Sequence, residues 1–214
     1  MNIVILHDSN CIKSYGAKPL YIVNLKKNVL DKQIDVINRA FKNPTITIIS
    51  GFKHKGVKKY VTKWNNVEII ENKTFEENGE IYSLSLILDK IKDSLLLIQN
   101  NVIFKHHIFN KFKRNRSQLF LSNNHQFELG CTLNNNLIQN ISWSLPNYWT
   151  NISYFVETEL ELLKWICNPI HTPSKNMNKL FLMEGINFII DHQGKFVANF
   201  VKSKIFLLDK PNVS

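Results

Sequence analysis

Short apolar runs alternate with amphipathic stretches through the first half of the chain. Residues 2–6 predict a buried strand, continuously apolar from Ile3 to Leu6, and a second short apolar piece at 20–23 follows Lys18-Pro19. Leu30, Ile34, Ile37 and Phe41 then recur at helical spacing, with Asn28 as N-cap and Asn43-Pro44 as the stop. A β-branched run at 45–49 closes on Ser50-Gly51. Val57, Tyr60, Val61 and Trp64 follow at i, i+3, i+4 and i+7, the spacing of a short amphipathic helix. Residues 67–70 predict the next strand, Leu84, Ile87, Leu88 and Ile91 another helix, and 94–98 another buried strand. The long strands are apolar on both faces, as a parallel sheet covered on both sides requires. In such a sheet ligands bind beyond the carboxyl ends of the strands, near a switch in strand order. That points to residues 7–16, 50–55, 71–79 and 99–101.

The second half is less regular. Residues 118–121 and 127–129 predict strands separated by Asn123-Asn124, 138–144 a further short strand, and 151–156 a strand leading into a helix from Glu157 to about Ile166. Residues 185–190, a turn at 191–194, 195–201 and 205–208 predict a closing cluster of hairpin-like strands. No internal repeat or linker rich in Gly, Pro or Ser divides the chain, so one domain is expected over residues 1–214.

Composition narrows the class. With 214 residues, 44% of them hydrophobic, the chain is long enough for a real core and is not of disordered composition. No apolar run reaches the roughly 18–20 residues of a membrane span. The N-terminal run is short and lacks a basic flank, which fits a first strand better than a signal peptide. Cys11, Cys131 and Cys167 are odd in number, widely spaced and without a C-x-x-C pair, as expected of a cytoplasmic, reducing setting. The seven histidines, His106-His107 included, show no metal-ligand spacing. The formal net charge of +10 favours anionic partners. Part of that charge sits in the run from Lys105 to Arg116, which mixes cations with Phe109 and Phe112. It reads either as a nucleic-acid contact or as an amphipathic helix with Ile108, Phe109 and Phe112 in the core and a solvated basic face. Lys53-His54-Lys55, with Lys58 and Lys59, sits after a strand end, where it would help to collect an anion.

Several stretches, in order, resemble the sugar-nucleotidyltransferase family, and within it the small cytidylyltransferases that activate phosphocholine or similar phosphorylated alcohols and sugars. Residues 3–6 leading to Lys18-Pro19-Leu20 are similar to its strand, loop and Lys-Pro-Leu segment. Residues 28–37 (NVLDKQIDVI) resemble its Leu-x-x-Gln-Ile helix, and 47–52 (TIISGF) its strand ending in Thr-Gly-Tyr. Residues 67–72 with Ile81-Tyr82-Ser83-Leu84 resemble its Asn-Val and Tyr-Ser-Leu segments, and 95–104 (LLLIQNNVIF) its Gly-Asp-Val strand end. In the second half, 151–155 (NISYF), 184–187 (EGIN) and 204–211 (KIFLLDKP) continue the series. The resemblance implies an α/β fold of the GT-A-like, Rossmann-like kind, three layers with a mostly parallel central sheet. It divides the chain into a nucleotide-binding half at 1–104 and an acceptor half at 105–214. The implied reaction joins a nucleoside triphosphate to a phosphorylated small molecule with Mg²⁺, releasing pyrophosphate.

By position, the resemblance assigns a phosphate contact, and the catalytic role, to Lys18. It assigns nucleotide binding to Leu6, His7, Asp8, Ser9, Lys13 and Gly51, acceptor binding to Asn72, Asn78, Tyr82 and Glu184, and metal binding to Asn101 and Asp209. Glu184 reads more readily as the partner of a neighbouring lysine than as a catalytic group. Two features depart from the family. Its first loop is Gly-rich and carries an Arg, whereas residues 7–16 hold one glycine, with Lys13 as the substitute cation. Its metal-binding Asp falls on Asn101, a neutral and weaker Mg²⁺ ligand. The alternative expectation is therefore a catalytically inactive homologue that binds a nucleotide, nucleic acid or a protein partner, or serves as a structural component.

Overall fold

The computed structural model describes residues 1–7, 20, 22–24, 27–99, 102–168, 179–202 and 204–208. Strand β1 (Asn2–His7) is followed by a small ribbon of β2 (Ile22–Asn24) and β3 (Lys27–Asn28), which pair with each other outside the main sheet. Helix α1 (Val29–Ala40) starts where the sequence predicts. The Asn28 side chain accepts the Asp31 N–H at 3.0 Å, and the Asp31 carboxylate accepts the Asn28 N–H at 2.9 Å. Strand β4 (Thr45–Ser50), helix α2 (His54–Val61), strand β5 (Val67–Glu71), helix α3 (Glu80–Ser85) and strand β6 (Ser94–Gln99) complete the first half.

Strands β5, β4, β1 and β6 lie side by side in that order, all parallel. The chain steps outward from β1 to β4 and β5, then returns to pair β6 with the other edge of β1, so the switch in strand order lies between β1 and β6. Alternate residues of the apolar runs feed two cores. Ile3, Ile5, Ile48 and Ile98 pack beneath α1 and α2, and Val4, Leu6, Ile49 and Leu97 pack on the opposite face. All eight are 2% exposed or less, which is why these strands read as continuous hydrophobic runs.

Beyond β6 the expectation of a mostly parallel sheet fails. After β7 (Val102–Ile103) come β8 (Gln118–Ser122), β9 (Leu129–Asn134), β10 (Leu137–Trp143), β11 (Tyr148–Val156), helices α4 (Glu157–Cys167) and α5 (Leu182–Asp191), and strands β12 (Val197–Phe200) and β13 (Phe206–Leu207). The full order is β5-β4-β1-β6-β11-β8-β12-β10-β9, and β11 also meets β9 through Tyr148 and Gly130. The sheet is therefore mixed, with strands β8 to β12 curling into a small closed barrel. Short turns force the antiparallel pairings. Asn135 and Asn136, both at positive φ (48° and 67°), make the two-residue link from β9 to β10. Gly130 lets β9 close on the next turn, because a Cβ there would lie 1.9 Å from the Leu145 carbonyl oxygen.

The strand expected at 185–190 is also corrected: these residues belong to helix α5. Leu182, Ile186 and Ile189 recur at helical spacing and are fully buried. Gly185 allows close approach to α3, where an added Cβ would fall 2.7 Å from Ile81 Cδ1. Tertiary packing outweighs the β-branched character of the run. Helices α3, α4 and α5 cover the sheet face opposite α1 and α2, giving three layers. Among the described residues, no helix is long and apolar enough to cross a membrane.

Candidate functional site at the strand ends

The buried strands of the first half change character at their carboxyl ends. His7 ends β1, Ser50 ends β4, Asn72 follows β5 and Gln99 ends β6. All four are polar and 5% exposed or less. Polar groups in such places need partners, and these come mostly from the flanking helices. On the α1 side, the Nε2–H of His7 donates to Gln33 Oε1 at 3.1 Å, and Gln33 Nε2 donates to the Val102 carbonyl at 3.1 Å. Gln33 thus ties the ends of β1 and β7 across the switch point. Ser50 Oγ meets His54 Nδ1, at the start of α2, at 2.8 Å.

On the opposite face the Asn72 amide donates to Ser83 Oγ at 2.8 Å, and its carbonyl accepts from the N–H (3.0 Å) and hydroxyl (3.2 Å) of Thr74. Asn78 donates to Thr74 Oγ1 at 2.6 Å, so Asn72 and Asn78 together shape the loop between β5 and α3. Phe75 of this loop lies on Gly51, where a Cβ would meet its ring at 2.3 Å. Glu80, at the start of α3, accepts the Leu182 N–H at 2.8 Å and so supports the start of α5. Burial pushes the Glu80 carboxyl above the usual range, against hydrogen bonds from Leu182 and the Gln99 side chain. Gln99 Oε1 is buried with no hydrogen-bond partner among the described residues, at the tip of the central strand β6.

The candidates from the sequence divide accordingly. Leu6, His7 and Gly51 stand at the ends of adjacent parallel strands. Asn72, Asn78 and Tyr82 lie in or beside the loop and helix at the same edge of the sheet. Glu184 sits in the first turn of α5, where its carboxylate accepts the Phe181 N–H at 2.8 Å. It caps that helix, and no lysine pairs with it among the described residues. Asp8, Ser9, Lys13, Lys18, Asn101 and Asp209 lie outside the described residues. Gln33 is the Gln of the Leu-x-x-Gln-Ile stretch and His54 lies in the Lys53-His54-Lys55 cluster, but the resemblance assigns neither to the site, and Glu80 and Gln99 carry no motif. The signal that all four share is polarity at the end, or on the inner face, of an otherwise apolar element.

The same edge continues into the second half. Strand β8 is antiparallel to β11, which is antiparallel to β6, so the carboxyl ends of β8 and β12 point the way of β6. A cavity of about 660 Å³ opens there, lined by Ser122, Asn124, Lys202 and Lys204 among others. Asn124 donates to the Ile205 carbonyl at 2.8 Å and fixes one wall. Neither lysine has a carboxylate partner among the described residues. The sequence reading did not single out this cavity, because its walls come from two strands about 80 residues apart.

The run from Lys105 to Arg116 is not the single amphipathic helix considered above. A short 3-10 turn (His106–Phe109) is followed by an irregular loop. Phe109 and Phe112 nevertheless point inward, onto Phe41, Phe104, Phe120 and Tyr154, so neither phenyl ring of the segment is left for base stacking. Cys131 and Cys167 are buried and unpaired. Burial pushes the Cys131 thiol up to about 12 and that of Cys167 higher, which leaves both unreactive.

No model of a known protein family matches the chain, and neither does a curated protein sequence. Solved structures do match. The CTP:phosphocholine cytidylyltransferase of Streptococcus pneumoniae aligns over 98% of this chain and 93% of its own, at 18% identity and a TM-score of 0.79. The inositol-1-phosphate CTP transferase of T. maritima covers 98% of this chain and 89% of its own, at 12% identity and a TM-score of 0.76. A nucleoside-diphosphate-sugar pyrophosphorylase of Vibrio cholerae covers 99% and 97%, at 12% identity and a TM-score of 0.73. With nearly the whole of each chain superposing, this protein has the fold of the sugar-nucleotidyltransferases.

Proposed function

We propose that this chain transfers a nucleotidyl group from a nucleoside triphosphate to the phosphate of a phosphorylated alcohol or sugar. The observation that carries the reading is the end-to-end match to enzymes of that reaction class, with buried polar side chains gathered at the ends of β1, β4, β5 and β6. In the proposed reaction an acceptor phosphate oxygen attacks the α-phosphorus of the triphosphate. The bond from that phosphorus to the oxygen bridging the α- and β-phosphates breaks, and pyrophosphate leaves with the electron pair. Such a step needs charge neutralisation and alignment more than a covalent catalyst.

Residues 1–104 hold the nucleotide in this reading. Lys18 and Lys13 meet the phosphates, and Leu6, His7, Asp8, Ser9 and Gly51 border the nucleotide. Gln33 keeps His7 in place through the hydrogen bond to its ring. Residues 105–214 hold the acceptor, together with Asn72, Asn78 and Tyr82 from the loop and helix after β5. The cavity at the ends of β8 and β12 supplies Lys202 and Lys204 as cations for the acceptor phosphate. Glu184 acts by capping α5, which faces this half. We place the protein in the cytoplasm, in keeping with its unpaired buried thiols.

Magnesium is implied by the resemblance, where it would offset charge on the triphosphate. Among the described residues no three His, Cys, Asp or Glu side chains converge to hold a metal ion, so any Mg²⁺ would rest on one or two protein ligands and the substrate phosphates. Its ligands in this reading are Asn101 and Asp209, and no step is derived through it. Asn101 favours a second reading, an inactive homologue that still binds nucleotide, since an amide replaces a carboxylate there. Pyrophosphate release, measured with each common nucleoside triphosphate against phosphorylated alcohols and sugars, separates the two. Turnover supports transfer, and Lys18→Ala should then lower it by roughly 10²–10³-fold. Nucleotide-induced thermal stabilisation without turnover, with turnover appearing in Asn101→Asp, supports the second reading.

A further inference from the structure

Half of the chain's net positive charge stands in one short segment outside the proposed site. From Ser94 to Phe127 the sequence contains no Asp or Glu, and within that stretch Lys105, Lys111, Lys113, Arg114 and Arg116 supply five positive charges against a chain total of +10. All five are exposed, as are His106 and His107 between them. No carboxylate among the described residues pairs with any of the five. Arg39 and Lys42, also exposed, flank the segment, because Phe41 between them packs on Phe109 at 4.9 Å.

The loop is held from beneath. The buried Gln118 side chain donates to the carbonyls of Lys113 and Arg116, and buried Tyr154 donates its hydroxyl to the Arg114 carbonyl at 3.2 Å. Asn199 in turn donates to Gln118 Oε1 at 3.1 Å, so β8, β11 and β12 all contribute. Ile108, Phe109 and Phe112 anchor the preceding turn in the core. Buried polar groups that fix the backbone of an irregular loop, while its cations face outward, pre-organise a charged surface and lower the cost of binding.

The loop leads into the amino end of β8, opposite the edge that carries the proposed substrate site. A partner held there leaves the carboxyl edge open. The inward packing of Phe109 and Phe112 removes the two phenyl platforms on which single-stranded nucleic acid would stack, the exposed His106 and His107 rings lie against each other at 3.8 Å, and a 3-10 turn with a loop offers no helix for a groove. What dominates is charge, suited to a layer of phosphate groups that needs no shape match. We propose that this loop, with Arg39 and Lys42, docks the protein reversibly on anionic phospholipid bilayers.

The test uses the full chain in co-sedimentation with vesicles of phosphatidylcholine alone and of phosphatidylcholine mixed with phosphatidylglycerol. Binding is expected to the anionic vesicles only and to fall as salt is raised. Each basic residue near such a surface contributes roughly a fivefold gain in affinity, so the triple variant Lys113→Gln, Arg114→Gln, Arg116→Gln should bind on the order of a hundredfold more weakly. Its melting temperature should match the wild type, because the exchanged side chains are exposed. Absence of binding to the anionic vesicles at low salt would overturn the proposal, as would unchanged binding by the folded triple variant. An RNA or DNA duplex that binds through the same three residues more tightly than the vesicles would overturn the lipid assignment in favour of nucleic acid.

Discussion

Replacing Gln33 by Met tests whether the switch point is held together as described. Gln33 is 1% exposed and, among the described residues, makes hydrogen bonds of 3.1 Å in which it accepts from the His7 ring and donates to the Val102 carbonyl. Met is close in volume and keeps the apolar contacts, so the change isolates the polar link. It leaves a buried ring N–H and a buried carbonyl without these partners, at about 1–3 kcal/mol each, partly offset by no longer burying the amide. The net loss expected is about 2–4 kcal/mol. For a chain of this size that is roughly a 5–15 °C fall in melting temperature. Urea unfolding and calorimetry measure it directly. The control is Gln139→Met, an exposed glutamine with longer hydrogen bonds of 3.4 Å, expected to change stability by no more than about 0.5 kcal/mol. If Gln33→Met falls within the range of that control, the link between β1 and β7 contributes nothing and the reasoning fails.

Gly130→Ala should cost about 3 kcal/mol or more, because the new methyl meets backbone atoms of Leu145 and Pro146 that cannot turn aside. A wild-type urea midpoint would show that the barrel does not close as described. Asp31 is held below the usual carboxylate range: burial works to raise it, but hydrogen bonds from Lys63, Tyr60 and the Asn28 N–H outweigh that. Its stabilisation is present above the unfolded-state value and is lost as pH falls through the folded-state value, so Asp31→Asn should flatten the acid side of the stability curve. Glu80 has the opposite sign. Its raised carboxyl weakens the fold as pH rises past the unfolded-state value, so Glu80→Gln, which can still accept the Leu182 N–H, should gain stability at neutral pH and none in acid. Equal urea midpoints for Glu80→Gln and wild type at neutral pH would refute that assignment. Lys202→Ala with Lys204→Ala should raise KM for the phosphorylated acceptor roughly tenfold or more while leaving KM for the nucleotide unchanged. Equal effects on both constants would remove the cavity from the acceptor site.

The sequence carried much of the first half and its ligand edge. Residues 3–6 and 95–98 are apolar on both faces because both faces are covered, and Asn28 marks the start of α1. The second half hid its topology in features that periodicity does not register. Asn135 and Asn136 set the β9–β10 hairpin by adopting positive φ, and Gly130 closes the barrel through a contact visible only in three dimensions. Helix α5 was hidden because Ile186, Ile189 and Ile190 suit a strand locally, whereas α3 and α4 require a helix there. Of the site, the polar ends of the strands were legible as interruptions of apolar runs. Their partners were not: Gln33 and Val102 are 69 residues apart, and Glu80 and Leu182 are 102 apart.

Pyrophosphate release tests the central claim most directly. The purified chain, with magnesium, is given each nucleoside triphosphate together with phosphocholine, inositol phosphate or hexose 1-phosphates, and the products are identified by mass. Transfer predicts at least one pair that yields pyrophosphate and a nucleoside-diphosphate-linked product in equal amounts, both abolished when the acceptor is omitted. No product from any pair with a folded chain would contradict it, whether or not Asn101→Asp gains turnover.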